Sequence, residues 1–282
     1  MTLPVPVASA IAPLPIGYAD LLDRVVATLD SDERIVALWL GGSLGRGVAD
    51  AGSDLDLIVT VADAAAEEIR AAGDAMWAFL DPVIALEIPY LPGCFTLLTS
   101  GGLRVDTVLE AESEVASSPY RQRVMVFDRR AEPTPLPAPE HTDDGPNLDR
   151  MQAIATEFAR QLAIFPDAVV ARRDWLLGQE AVHNYRTFLY QLYVESNAPL
   201  PPMGVKQWSA KLTAAQRDRL STLTPPAADA TSVIAAMRDV QWTIRTEGRA
   251  LLEAAGGSWP EAAVDAALCR WRARGIPDTH VE

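Results

Sequence analysis

The stretch GGSLGRGVADAGSDLDLIVTV, residues 41–61, constrains the fold more than any other part of the chain. An apolar run, RIVALWL (34–40), ends on Gly41. A glycine-serine turn follows, and after ten intervening residues Asp54 and Asp56 open a second apolar run, LDLIVTV (55–61). Both runs are short, apolar and bounded by turn residues, the pattern of buried strands. Residues i and i+2 of a strand point the same way, so the carboxylates of Asp54 and Asp56 leave the sheet on one face. Two like charges so close repel each other, and something positive belongs between them.

The turn suggests what that is. Glycine lets backbone approach a ligand closely, and the N–H groups around Gly42, with the Ser43 hydroxyl, can bind phosphate oxygens. Mg²⁺ takes few protein carboxylates and fills its other positions with water and substrate phosphates. A third carboxylate is expected from a neighbouring strand. In LRVDTVLE (103–110) Asp106 is flanked by Val105 and Val108, where an unpaired charge is costly. The metal site is its economical partner. Glu110 and Glu87 are rivals, each read as lying at the frayed end of a strand. No other catalytic pattern competes: His141, His183 and His280 form no metal or triad spacing, and no Walker lysine motif or strand-linked GxGxxG occurs.

The net charge of -14 argues against a broad nucleic-acid footprint, which needs clustered Lys and Arg. It suits a cationic small substrate, because an acidic cleft concentrates positive ligands. No apolar run reaches the roughly 20 residues that span a bilayer. The N-terminus, MTLPVPVASAIAPLPIGYAD, reads as a loose arm, since it lacks a basic leading segment and is broken by prolines. Cys94 and Cys269 form no ligand pair and read as buried thiols of a cytoplasmic protein.

The pattern divides the chain into residues 1–130, which mix strands and helices, a proline-rich linker at 131–147, and a helical region at 148–282. A helix is expected over 17–30 and another after Asp63, which could cap it. Ser100-Gly101-Gly102-Leu103 reads as a hairpin turn. Helices are expected over 148–164, 168–196, 204–221, 229–255 and 260–274. In the second of these Trp175, Val182, Tyr185, Leu189, Leu192 and Tyr193 share one face and read as bundle core. The opposite face carries Glu180, Asn184, Thr187 and Gln191, either solvated or turned towards the first domain.

Gly-Ser, a spacer of ten, Asp-x-Asp and a later strand aspartate together resemble the polymerase-β-like nucleotidyltransferase superfamily. The resemblance implies an α/β (α+β) fold: a twisted mixed sheet with flanking helices, followed by an all-α C-terminal bundle. It also implies two Mg²⁺ ions and ATP as co-substrate. The two-domain layout is most similar to the aminoglycoside (streptomycin/spectinomycin) adenylyltransferases, enzymes of antibiotic resistance. On that likeness Asp54, Asp56 and Asp106 are the catalytic metal ligands. Gly42 and Ser43 hold the β- and γ-phosphates, and Arg46 neutralises phosphate charge or pairs with Asp50. Ser53 orients Asp54 or caps its turn. In NYRTFLYQLYVESNAPLPPMGVKQWSAKL, Lys206 takes by position the place of a lysine that reaches the triphosphate, and Trp208 that of a packing aromatic. Glu180 is a candidate for acceptor binding or base work. The resemblance does not place the family's acceptor-binding acids of the C-terminal domain on particular residues here.

The expected reaction is therefore transfer of AMP from ATP to a hydroxyl of a small molecule, with an aminoglycoside-type antibiotic as the first acceptor class. Partners are ATP and that acceptor, with no nucleic acid and no membrane, and a monomer is favoured over a homodimer. Two alternatives stay open: a nucleotidyltransferase acting on a protein or other non-antibiotic acceptor, as toxin–antitoxin members do, and an inert nucleotide-binding relative. The intact Asp54, Asp56 and Asp106 speak against the second.

Overall fold

A computed structural model describes residues 5–132, 135–136, 145–200, 203–204 and 206–277. His141, His280 and much of the proline-rich linker lie outside them. The chain forms two compact units, Met1–Glu140 with Pro202–Val205 and His141–Pro201 with Lys206–Glu282.

The first unit is built on a six-stranded sheet. Its helices are α1 (Val5–Ile11), α2 (Tyr18–Asp30), the single turn α3 (Gly42–Gly45) and α4 (Ala66–Ala72). Its strands are β1 (Ile35–Leu40), β2 (Leu55–Val61), β3 (Pro82–Glu87), β4 (Cys94–Thr99), β5 (Arg104–Ala111) and β6 (Val124–Asp128). The order is β3-β4-β5-β2-β1-β6; β2 and β5 run parallel and the other neighbours antiparallel. The period of two sorts the strands' side chains. Leu55, Leu57, Val59 and Val61 of β2 and Val105 and Leu109 of β5 enter one core with Leu21, Leu22, Val25 and Val26 of α2. Asp56, Ile58 and Thr60 and Asp106, Val108 and Glu110 therefore share the other face. The β4–β5 hairpin forms as its turn predicts, with only Gly102 at positive φ (+78°).

Four expectations change here. The prolines of the N-terminus do not leave a loose arm: Pro6 sits in the first turn of α1, where a missing N–H costs nothing, and Val7 and Ile11 are buried in the core. Asp63 does not cap its own helix, because its Oδ1 accepts the Ser113 N–H at 2.9 Å. Cys94 is buried as expected, but Cys269 is exposed. Glu110 is not at a frayed end; it is 4% exposed, and its carboxylate accepts from Arg123 and from the Thr60 hydroxyl.

The second unit consists, among the described residues, of α5 (Leu148–Phe165), α6 (Trp175–Ser196), α7 (Ala214–Thr222), α8 (Ala230–Thr243), α9 (Arg249–Ala254) and α10 (Glu261–Ala273) with their connecting turns. Side-chain caps start four of them: Asn147, Asp174, Thr213 and Asp229 each accept a backbone N–H of the following first turn. The stripe expected on α6 is core: Val182, Tyr185, Leu189, Leu192 and Tyr193 are buried, with Trp175 packed beside them. The helix expected over 168–196 is broken before Asp174, where Arg173 takes φ +56°. The one expected over 204–221 is a continuous helix only from the Thr213–Gln216 capping box onward, after a short 3₁₀ turn at Ser209–Lys211. Among the described residues no helix is long and apolar enough to cross a membrane.

Candidate active site

Parallel pairing of β2 with β5 sets Asp56 directly opposite Asp106, and Leu55 opposite Val105. Asp54 lies one residue before β2 and is 9% exposed. The end of β1 meets this pair: the Gly41 N–H donates to the Asp56 carbonyl at 2.9 Å. The chain then turns through Gly42 at φ +52°. A Cβ on Gly42 would fall 1.8 Å from Asp56 Oδ2, so only glycine lets the turn sit against that carboxylate. Gly42, Asp56 and Asp106 thus meet at one place.

Ser43 follows in the turn, and its hydroxyl oxygen is buried with no hydrogen-bond partner. Arg46 ends the turn, with Nε likewise buried and unpartnered. An unpartnered hydroxyl in the turn that meets Asp56 fits an oxyanion such as phosphate, which would satisfy it. Ser53 is used differently: its hydroxyl accepts the Asp50 N–H at 3.0 Å and donates to Asp50 Oδ1 at 3.2 Å, closing the turn ahead of Asp54.

Asp106 is fixed from two sides. The Thr96 hydroxyl donates to its Oδ1 at 2.8 Å, and Arg104 Nε donates to the same oxygen at 3.3 Å. Arg104 Nη2 pairs with Asp106 Oδ2 and also lies 2.8 Å from Asp54 Oδ2. One guanidinium therefore spans two of the predicted ligands. Its own acidity is weakened further, first by the hydrogen bond to Asp106 and then by the charges of Asp106, Asp54 and Asp56. Sequence reading passed over Arg104. The available signal was its place two residues before Asp106, which puts both side chains on one face of a strand.

Asp54, Asp56 and Asp106 offer hard oxygen donors of the kind Mg²⁺ takes, and the Gly42 cradle and the Ser43 hydroxyl leave a place for phosphate beside them. The residues present fit a magnesium–nucleotide complex. Among the described residues no three His, Cys, Asp or Glu side chains are gathered tightly enough to cage an ion as they stand. The guanidinium of Arg104 explains the spacing, since it props Asp54 and Asp106 about itself.

A cavity of about 490 Å³ opens further along the same face of β5, lined by Leu91, Pro92, Cys94, Val108, Pro119 and Tyr120 among others. Val108 is two residues beyond Asp106, a rise of roughly 7 Å. The Cys94 sulfur lies 3.9 Å from the Tyr120 hydroxyl. Burial raises the pKa of both groups, that of Tyr120 to about 12, so neither is an anion at neutral pH.

Lys206 and Glu180 belong to the second unit. Lys206 lies in the turn before Trp208, whose ring stacks on Tyr190 with centroids 3.6 Å apart and planes at 8°. Trp208 remains 51% exposed, so it is a half-open aromatic ledge rather than a core residue. Glu180 is exposed on α6.

Comparison with solved structures returns distant likenesses. Over 91% of this chain and 98% of the other, the structure resembles an aminoglycoside 6-adenyltransferase from Bacillus subtilis, at 12% identity and a TM-score of 0.41. It also resembles the E. coli MS115-1 CdnC:HORMA-deltaN complex, at 16% identity, 84% and 96% coverage and a TM-score of 0.26. A third likeness is to the Elizabethkingia meningoseptica CdnE cyclic dinucleotide synthase with GTP and Apcpp, at 11% identity, 91% and 90% coverage and a TM-score of 0.27. Scores this low say nothing about the acceptor of this chain. No curated protein matches it. Residues 22–130, which carry the whole carboxylate site, match the model of the nucleotidyltransferase domain.

Proposed function

We propose that the chain is a Mg²⁺-dependent nucleotidyltransferase that moves AMP from ATP to a hydroxyl of a small molecule, with an aminoglycoside-type antibiotic as the first class to test. The observation that carries this reading is the register of Asp56 against Asp106, with Asp54 beside them and Gly42 pressed onto Asp56. The net charge of -14 supports a cationic acceptor.

In this reading the Ser43 hydroxyl and the N–H groups of its turn hold the β- and γ-phosphates, and Arg46 offsets their charge. Asp106, oriented by Thr96, takes the proton of the acceptor hydroxyl. The hydroxyl oxygen attacks the α-phosphorus in line and pyrophosphate leaves. Asp54, Asp56 and Asp106 would hold Mg²⁺, which when bound supplies Lewis-acid stabilisation of the charge on the transferring and leaving oxygens.

The test is pyrophosphate release from Mg·ATP over a panel of aminoglycosides and lincosamides, run beside Asp54→Ala. Release that requires one drug class and disappears in the variant supports the reading. No release with any drug, while calorimetry still shows Mg·ATP bound, removes the antibiotic and keeps the nucleotide site. A second reading, a non-antibiotic acceptor, has one observation on its side. The cavity beyond Asp106 presents more apolar than polar surface, with Leu91, Pro92, Val108 and Pro119 beside Arg70, Glu110 and Glu114, and such a wall favours an acceptor with an apolar body.

Gly42→Ala is expected to cut turnover by about 10²-fold, because the new methyl displaces the Asp56 carboxylate from its working position. Initial rates check this. Unchanged rates would mean that the turn does not sit on Asp56 during the reaction.

A further inference from the structure

We propose that Arg104 is an exchangeable counter-ion: it holds Asp54 and Asp106 in the metal-free protein and yields their oxygens to an incoming divalent cation. The inference rests on the metal-site reading above and goes beyond it, because that reading assigns Arg104 no role.

The geometry is specific. The guanidinium reaches Asp54 Oδ2 at 2.8 Å and both oxygens of Asp106. These are oxygens a metal bridging β2 and β5 would need, so guanidinium and cation compete for them. The arginine is also built to move. Its main chain is fixed, since its N–H donates to the Tyr18 hydroxyl at 3.2 Å and it pairs in register with Leu98. Its side chain is 42% exposed, against 12% for that of Asp54. A half-exposed ion pair is weak and costs little to break. An anchored backbone with a charged head open to water can give up its partners to a competing cation without disturbing the strand. Asp54, Asp56 and Asp106 lie on or beside neighbouring strands, and the guanidinium on Asp54 and Asp106 offsets part of their mutual repulsion in the metal-free protein. With it the fold can form first and load the metal afterwards.

The experiment measures binding of Mn²⁺ alone by electron paramagnetic resonance, in the wild-type chain, Arg104→Gln and Arg104→Lys. Arg104→Gln removes the competitor and is expected to bind free Mn²⁺ about tenfold more tightly. Arg104→Lys keeps the charge and is expected to stay within about twofold of wild type. Asp54→Ala should abolish binding in either background. Equal or weaker binding by Arg104→Gln, with Asp54→Ala still abolishing it, overturns the counter-ion role and leaves the metal site intact. No Mn²⁺ bound by any variant, with or without ATP, overturns the metal-site reading and this inference with it. The wild-type chain gives a readout that does not depend on a variant folding. Adding Mg²⁺ should shift the Arg104 Nε–Hε resonance and speed its exchange with water. A resonance unmoved at saturating Mg²⁺ contradicts the proposal.

Discussion

Asp56→Asn is expected to lower pyrophosphate release by on the order of 10³-fold while leaving the protein folded. The amide matches the carboxylate in shape, so the Gly42 turn can still pack against it. What is lost is negative charge at the point where β1, β2 and β5 converge. A cation bound there would stabilise charge that develops only in the transition state, so the loss is expected in kcat more than in folding. Initial-rate kinetics beside circular dichroism separate the two. Unchanged kcat would remove Asp56 from the reaction, and with it the Asp-x-Asp basis of the account.

The largest expected effect on stability lies elsewhere on the same face. Arg123 and Glu110 form an ion pair with side-chain exposures of 0% and 5%. The arginine also donates to the Tyr120 carbonyl at 2.7 Å and the Ser118 hydroxyl at 2.8 Å, and lies 5.5 Å from the Trp39 ring centre. Glu110 in turn accepts the Thr60 hydroxyl at 3.1 Å, and Thr60 accepts the Trp39 indole N–H at 3.3 Å. Arg123→Ala leaves the carboxylate buried and without its cation, a loss of about 3–5 kcal/mol. For a unit of this size that is a fall in Tm of roughly 6–20 °C. The Arg123→Met, Glu110→Leu double variant should recover much of it, because an apolar replacement removes the stranded charge. A single variant with wild-type Tm would show that the pair contributes nothing.

These two carboxylates mark what the sequence could and could not show. Asp56 was legible because everything that defines it is local: an apolar strand, a companion two residues away and a glycine turn at fixed spacing. Asp106 was legible because a lone acid between valines needs a reason. Glu110 looked like a strand end, since its partners come from other elements: Thr60 from β2, and Arg123 from just before β6. Arg104 was missed for a related reason. Its bond to Asp106 is local, but its role depends on Asp54, fifty residues earlier and brought near by the β2–β5 pairing. The helix breaks followed the same logic in reverse. The apolar pattern runs on through Val169 and Val170 into α6, which hid the stop before Asp174, although Asp174 itself is a readable N-cap. At the N-terminus, prolines suggested a loose arm, yet proline is at home in a first helical turn.

The most direct test of the central claim follows two labels of ATP. The chain is incubated with Mg²⁺ and the aminoglycoside panel, once with [α-³²P]ATP and once with [γ-³²P]ATP. Nucleotidyl transfer through the Asp54–Asp56–Asp106 site predicts that the α-label moves to the acceptor and the γ-label leaves as pyrophosphate, both lost in Asp54→Ala. A γ-label found on the acceptor, or released as inorganic phosphate, would contradict it.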